Sequence, residues 1–230
     1  MKTLSILFTA ILLSYSVIAQ DSKFEIGLQA GPNLTAMRYA SDMLQANRYP
    51  QVAGIAGLFV QYNINNTFAL RIDPAFERLA DKTDKITYTN QNDNMIGPGT
   101  THFHYDYITI PVLVRASIGN KLKYFLNVGP SFSFLLNQSV ISDWTPDRKT
   151  NRTDYYQTLN FGITGGIGVA LPIKEKFSLS FEIRDNLGLT NISTSTNSNY
   201  AFRSNATSLL VGFAYKLGKG SSKATFTPTF

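Results

Sequence analysis

The chain has 230 residues, with 16 Phe, 12 Tyr, 16 Gly, one Trp, no cysteine and a formal net charge of +6. Only 16% of residues are charged, against about 25% in ordinary soluble domains, yet mean hydropathy is near zero at −0.07. The aromatic content excludes a disordered chain, the missing cysteines exclude disulfide scaffolds and thiolate chemistry, and no segment past residue 19 reaches the ~18 apolar residues of a membrane-spanning helix.

The chain begins with Lys2, an apolar run from Leu4 to Leu13 and small residues ending at Ala19. That order predicts a secretory signal peptide over 1–19 with cleavage after Ala19. Its loss removes one basic residue and lowers the net charge by one unit. The remaining Lys and Arg are scattered, with no basic block, which gives nucleic-acid binding little support.

From there a period of two runs along the chain. Apolar residues alternate with small or polar ones over Phe24–Leu28, Leu58–Tyr62, Phe68–Glu77 and Ile108–Arg115. They do so again over Tyr124–Leu136, Leu159–Ala170, Phe177–Arg184 and Leu209–Leu217. Neighbouring side chains of a strand face opposite sides, so each segment has one apolar and one polar face. Eight strands result. Short links fall at Asn63–Asn66, Gly119–Lys121 and Pro172–Lys176, and long polar ones at Arg38–Val52, Ala80–Thr101, Val140–Asp154 and Ser193–Ser204. An even strand number with alternating short and long links predicts an all-β fold, an eight-stranded antiparallel transmembrane β-barrel of up-and-down meander type. Its short turns would be periplasmic and its long loops extracellular.

The apolar face is the larger one, so it faces lipid, the expected partner. Both termini are then periplasmic, with the barrel over 20–217 and a tail over 218–230. Aromatic girdles are expected at the two interfaces: Tyr62, Phe68, Tyr124, Phe177 and Tyr215 by the turns, and Phe76, Tyr105, Tyr107, Phe134, Tyr155 and Tyr156 by the loops.

Tyr107-Ile108-Thr109-Ile110-Pro111-Val112-Leu113-Val114, a short turn and Tyr124-Phe125-Leu126-Asn127-Val128-Gly129-Pro130 resemble the PorT-type outer-membrane β-barrel family of Bacteroidetes. Gly27-Leu28-Gln29-Ala30-Gly31-Pro32-Asn33 is similar to that family's first strand. The resemblance implies an eight-stranded barrel in the bacterial outer membrane. Some family members serve secretion of large proteins, which makes other secretion or envelope proteins the expected partners. The tail from Gly218 to Phe230 departs from many relatives.

An eight-stranded barrel is just wide enough for its own side chains. The inward set includes Glu25, Arg71, Asp73, Glu77, Arg115, Glu182 and Arg184, which should pair as a lumen charge network, because an isolated buried charge is costly. A plugged lumen argues against a porin. A narrow channel or small-solute binder is the alternative. Neither catalysis nor a cofactor is expected. The one cluster with metal-ligand or base chemistry is His102, His104 and Asp106, whose spacing of two puts all three on one strand face. It is the only basis for a hydrolase reading, and it lacks a recognised motif. Gly162, Gly165, Gly166 and Gly168 lack the Lys-Ser/Thr ending of a phosphate loop and are read as small inward residues beside bulky ones. Trp144, in the third long loop, is a candidate contact point.

Overall fold

The computed structural model describes residues 23–39, 48–89, 95–142, 149–195 and 201–217, and the side chains of all these except 84–89 and 95–98. The signal segment, Trp144 and the tail lie outside the described residues.

The described residues form twelve strands: β1 Phe24–Thr35, β2 Arg38–Tyr39, β3 Arg48–Asn63, β4 Phe68–Ile72, β5 Ala75–Thr89, β6 Met95–Ile118, β7 Lys123–Ser142, β8 Lys149–Asn151, β9 Leu159–Pro172, β10 Phe177–Gly188, β11 Phe202–Arg203 and β12 Asn205–Lys216. β4 and β5 both pair with β3 and with β6, so they form one stave, interrupted at Asp73-Pro74. The staves run β1, β3, β4–β5, β6, β7, β9, β10 and β12, each antiparallel to the next. Pairing of β1 with β12, from Glu25 opposite Lys216 to Thr35 opposite Ala206, closes the ring. The result is an eight-stave meander without a free edge, which is how a sheet satisfies its backbone in lipid.

Period two is realised in space. Leu28 is 60% exposed on the outer face and its neighbour Gln29 3% exposed inside. Leu58, Leu70, Val114, Leu126, Ile167, Phe181 and Leu209 stand outward in the same way. At the short-turn end Phe24 packs on Tyr62 at 5.0 Å between ring centroids, and Phe177 on Tyr215 at 5.1 Å. Gly119 takes a left-handed φ of 109° at the turn before β7, a conformation glycine adopts without a Cβ penalty.

Two expectations change. Much of the long links is strand: β5 and β6 pair out to Thr89 and Met95, inside the expected 80–101 loop, and β3 begins at Arg48. At ~3.3 Å per residue the 24-residue β6 is about 80 Å long, so even tilted it outruns an apolar band of about 25 Å. Secondly, Tyr105 and Tyr107 are 1% and 0% exposed and point into the barrel, not into the outer girdle. Their parity is that of Thr109, Leu113 and Arg115, so the strand that carries them turns them inward. Tyr156 likewise packs inward, its ring 5.3 Å from that of Tyr105.

Candidate functional site

The lumen is stacked in layers that follow from which residues each stave turns inward. Nearest the short turns, Asn63 donates to Glu25 at 2.9 Å and accepts from Gln61 at 2.8 Å. Glu25 Oε1 is 3.9 Å from Lys216 Nζ. Glu25 is therefore a rim residue bonded to its own rim neighbours, and the expected seven-member network loses it.

Above the rim lie two matching sandwiches. Gly27 and Gly168 face inward opposite Phe59 and Phe125 on the adjoining staves. A Cβ at either glycine would collide with the opposing ring, so the missing side chains let both rings lie flat against the wall. Arg71 stacks on Phe59 with its guanidinium carbon 3.6 Å from the centroid, and Arg115 on Phe125 at 3.9 Å. Cation–π contact favours a desolvated guanidinium in this position.

Behind the arginines the charges join. Arg71 Nε donates to Asp73 at 2.6 Å, and its Nη2 to Gln29 at 2.7 Å. Arg184 donates to Asp73 at 2.8 Å and to both oxygens of Glu182 at 2.8 and 2.9 Å. Asn127 bridges Glu182 to Arg115, donating at 2.9 Å and accepting at 2.8 Å. Arg115 Nη2 lies 4.0 Å from Glu182 Oε2, beyond a hydrogen bond. Five of the seven residues thus form one chain, Arg71–Asp73–Arg184–Glu182–Arg115, with Arg184 as its hub. Glu77, one step further out, accepts from Thr109 at 2.7 Å, and Thr109 in turn meets Ser133 at 3.0 Å.

The outer half of the lumen, where the alternation predicts a polar face, holds a buried apolar cluster beside polar side chains such as Asn33, Thr35 and Gln138. Met37, Leu79, Tyr105, Tyr107, Leu135, Ile192, Phe202 and Ala206 form one buried cluster. Ile192, Phe202 and Met37 come from segments between the staves that fold over the opening. They carry no period, and nothing in their spacing marks them as interior. Above the cluster Tyr39 donates to Asp81 at 2.7 Å, and Arg48 bonds the same oxygen at 3.1 Å while stacking 3.7 Å from the Phe103 centroid. Burial pushes the Asp81 carboxyl above the usual carboxylate range, opposed by Arg48 and the Tyr39 hydroxyl.

His102, His104 and Asp106 do share the outward face of β6, opposite Lys82, Ala80 and Arg78. The Asp106 carboxylate is held bidentately by Arg78 at 2.6 and 3.0 Å. The two imidazole centroids are 6.5 Å apart, and Nδ1 of His102 meets Gln51 at 3.0 Å. Among the described residues no group of three His, Asp or Glu is placed to hold a metal. Of the four glycines, Gly166 backs onto the Glu182 carboxylate and Gly168 onto Phe125, whereas Gly165 turns outward with nothing within 4 Å of a Cβ.

Comparison with known proteins agrees with this architecture. The family model described as an outer membrane protein beta-barrel domain matches residues 18–194. Among solved structures, Neisserial surface protein A superposes with a TM-score of 0.50 at 14% identity, covering 84% of this chain and 97% of that one. OprG from Pseudomonas aeruginosa gives 0.46 at 10% identity, covering 87% and 99%. No curated protein sequence matches.

Proposed function

From the premise that the chain belongs to the outer membrane protein beta-barrel domain family, we propose that this integral outer-membrane barrel is a closed, non-enzymatic scaffold. It acts through its two ends as an accessory of protein secretion, with its termini and short turns in the periplasm. One observation supports the closed-scaffold reading: the lumen is filled in series by a charge network and by an apolar cluster. A conducting path requires water past both, and a hydrolase requires an open cleft beside its catalytic groups. The occupied Asp106 and the separated imidazoles supply no such cleft. The secretion role rests on the resemblance of the β6–β7 hairpin to barrels with that duty.

Two measurements test the proposal. Reconstituted in planar bilayers, the protein should give no single-channel steps; stable steps would favour the solute-channel alternative. Deletion of the gene should retain large secreted proteins inside the cell, with release restored by the wild-type gene. An unchanged distribution would remove the secretion role and leave the scaffold.

A further inference from the structure

At the short-turn end the lumen opens into a cavity of about 290 Å³. Its floor is set by Arg71 and Arg115 on their aromatic rings, and its wall and rim carry Lys123, Lys174 and Lys216. Glu25 is the one carboxylate lining it among the described residues, and Glu25 is engaged by Asn63 and Lys216. Behind the floor three arginines bond two acids, Asp73 and Glu182, with Arg184 holding both, and a third acid, Glu77, sits one step further out on Thr109. Both floor arginines keep a buried guanidinium nitrogen that no atom accepts, Nη1 of Arg71 and Nη2 of Arg115. Their side chains are 1% and 8% exposed. A buried donor without an acceptor is costly, and charged donors most of all.

An acid in place of Asn127 or Gln29 would neutralise the arginines from within the wall, yet both positions carry neutral amides. We propose that this vestibule is a binding site for a small oxyanion-bearing ligand, a carboxylate or phosphate compound, which enters from the short-turn side and is received by Arg71 and Arg115. Guanidinium groups suit both chemistries because their N–H pairs match two oxygens of one group. The flanking rings and Ala69, Ala170 and Ala214 leave room for a short organic body behind the anion. The volume lies at the lower edge of small-molecule sites, about 300 Å³, which restricts the ligand to few heavy atoms. The lysines would draw the anion in, an effect that weakens with ionic strength.

The test uses the refolded protein in zwitterionic detergent, titrated calorimetrically with phosphate and with succinate, and with chloride at matched ionic strength. Saturable one-site binding of phosphate or succinate is expected, with shifts confined to the Arg71 and Arg115 Nε–H resonances in NMR. Arg115→Gln should weaken it at least about tenfold. Should that variant fail to refold, the rim double variant Lys123→Gln/Lys174→Gln keeps the interior intact and should weaken binding about twofold to fivefold. Equal responses to chloride, or unchanged affinity in the rim variant, would overturn the site. So would a response seen only with anionic phospholipid in nanodiscs, which would assign the charge to a lipid headgroup.

Discussion

Arg184 shows how much one lumen residue carries. It bonds Asp73 and both oxygens of Glu182, and among the described residues the other cations on those acids are Arg71 and the more distant Arg115. Replacing it with Ala leaves two buried carboxylates short of a partner, a loss of about 3–5 kcal/mol when one member of a buried pair is removed. Lys121→Ala in the exposed turn should stay within about 0.5 kcal/mol. Urea unfolding of the refolded barrel in lipid vesicles reads both, and equal effects would show that the network does not hold the staves together. Neighbouring glycines offer a finer comparison. Gly166→Ala drives a methyl into the Glu182 carboxylate, which Arg184 and Asn127 pin, so it should destabilise the barrel. Gly165→Ala meets nothing within 4 Å and should be neutral or stabilising by about 0.5 kcal/mol, since it lowers the backbone freedom of the unfolded chain. The sequence reading gives all four glycines of this run one role; which of them backs onto a charge depends on the pleat, and Gly165 falls on its outer side.

At the scale of elements, the staves were legible and the caps were not. A strand buried on one side and lipid-facing on the other writes its period into the chain, which is why Ile108–Arg115 or Phe177–Arg184 could be assigned to faces without coordinates. The extensions of β5 and β6 beyond the membrane lose that signal, because above the lipid both faces of a ladder are free to be polar. Residues such as Asp81, Lys82 and Thr83 then read as loop. The outer cluster is less legible still. Tyr105 and Tyr107 could be turned inward by parity, but their partners Ile192 and Met37 lie in irregular segments and Phe202 in the two-residue β11, whose places depend on tertiary packing. Ile192 is wholly buried there, and its backbone links Gln157 at 2.9 Å and Phe202 at 3.1 Å. Ile192→Ala should remove about 2–5 kcal/mol of packing. The loss should be local: hydrogen exchange should quicken at residues 189–195 and 202–206 while the lower halves of β1, β10 and β12 stay protected. Uniform loss of protection would mean that the cap and the barrel form one cooperative unit.

For the whole molecule, the two fillings act in series, and that order makes a prediction neither makes alone. Current through the lumen must pass the charge layer at Arg71–Arg184–Arg115 and then the cluster around Tyr105, Tyr107 and Ile192. Opening one leaves the other closed, so neither Arg184→Ala nor Ile192→Ala should conduct by itself. The first exposes a polar gap capped by packed rings, and the second opens a mouth onto a floor of paired charges. Only the double variant should give steps in planar bilayers. The combination is also a stability test, since the two residues belong to separate layers of the lumen. Their unfolding costs should add within about 0.5 kcal/mol, as for independent sites. Steps from either single variant would show that the other layer does not seal the lumen. A silent double variant that is folded would show that the staves themselves close inward when the filling is removed, as an eight-stranded ring has little room to stay open.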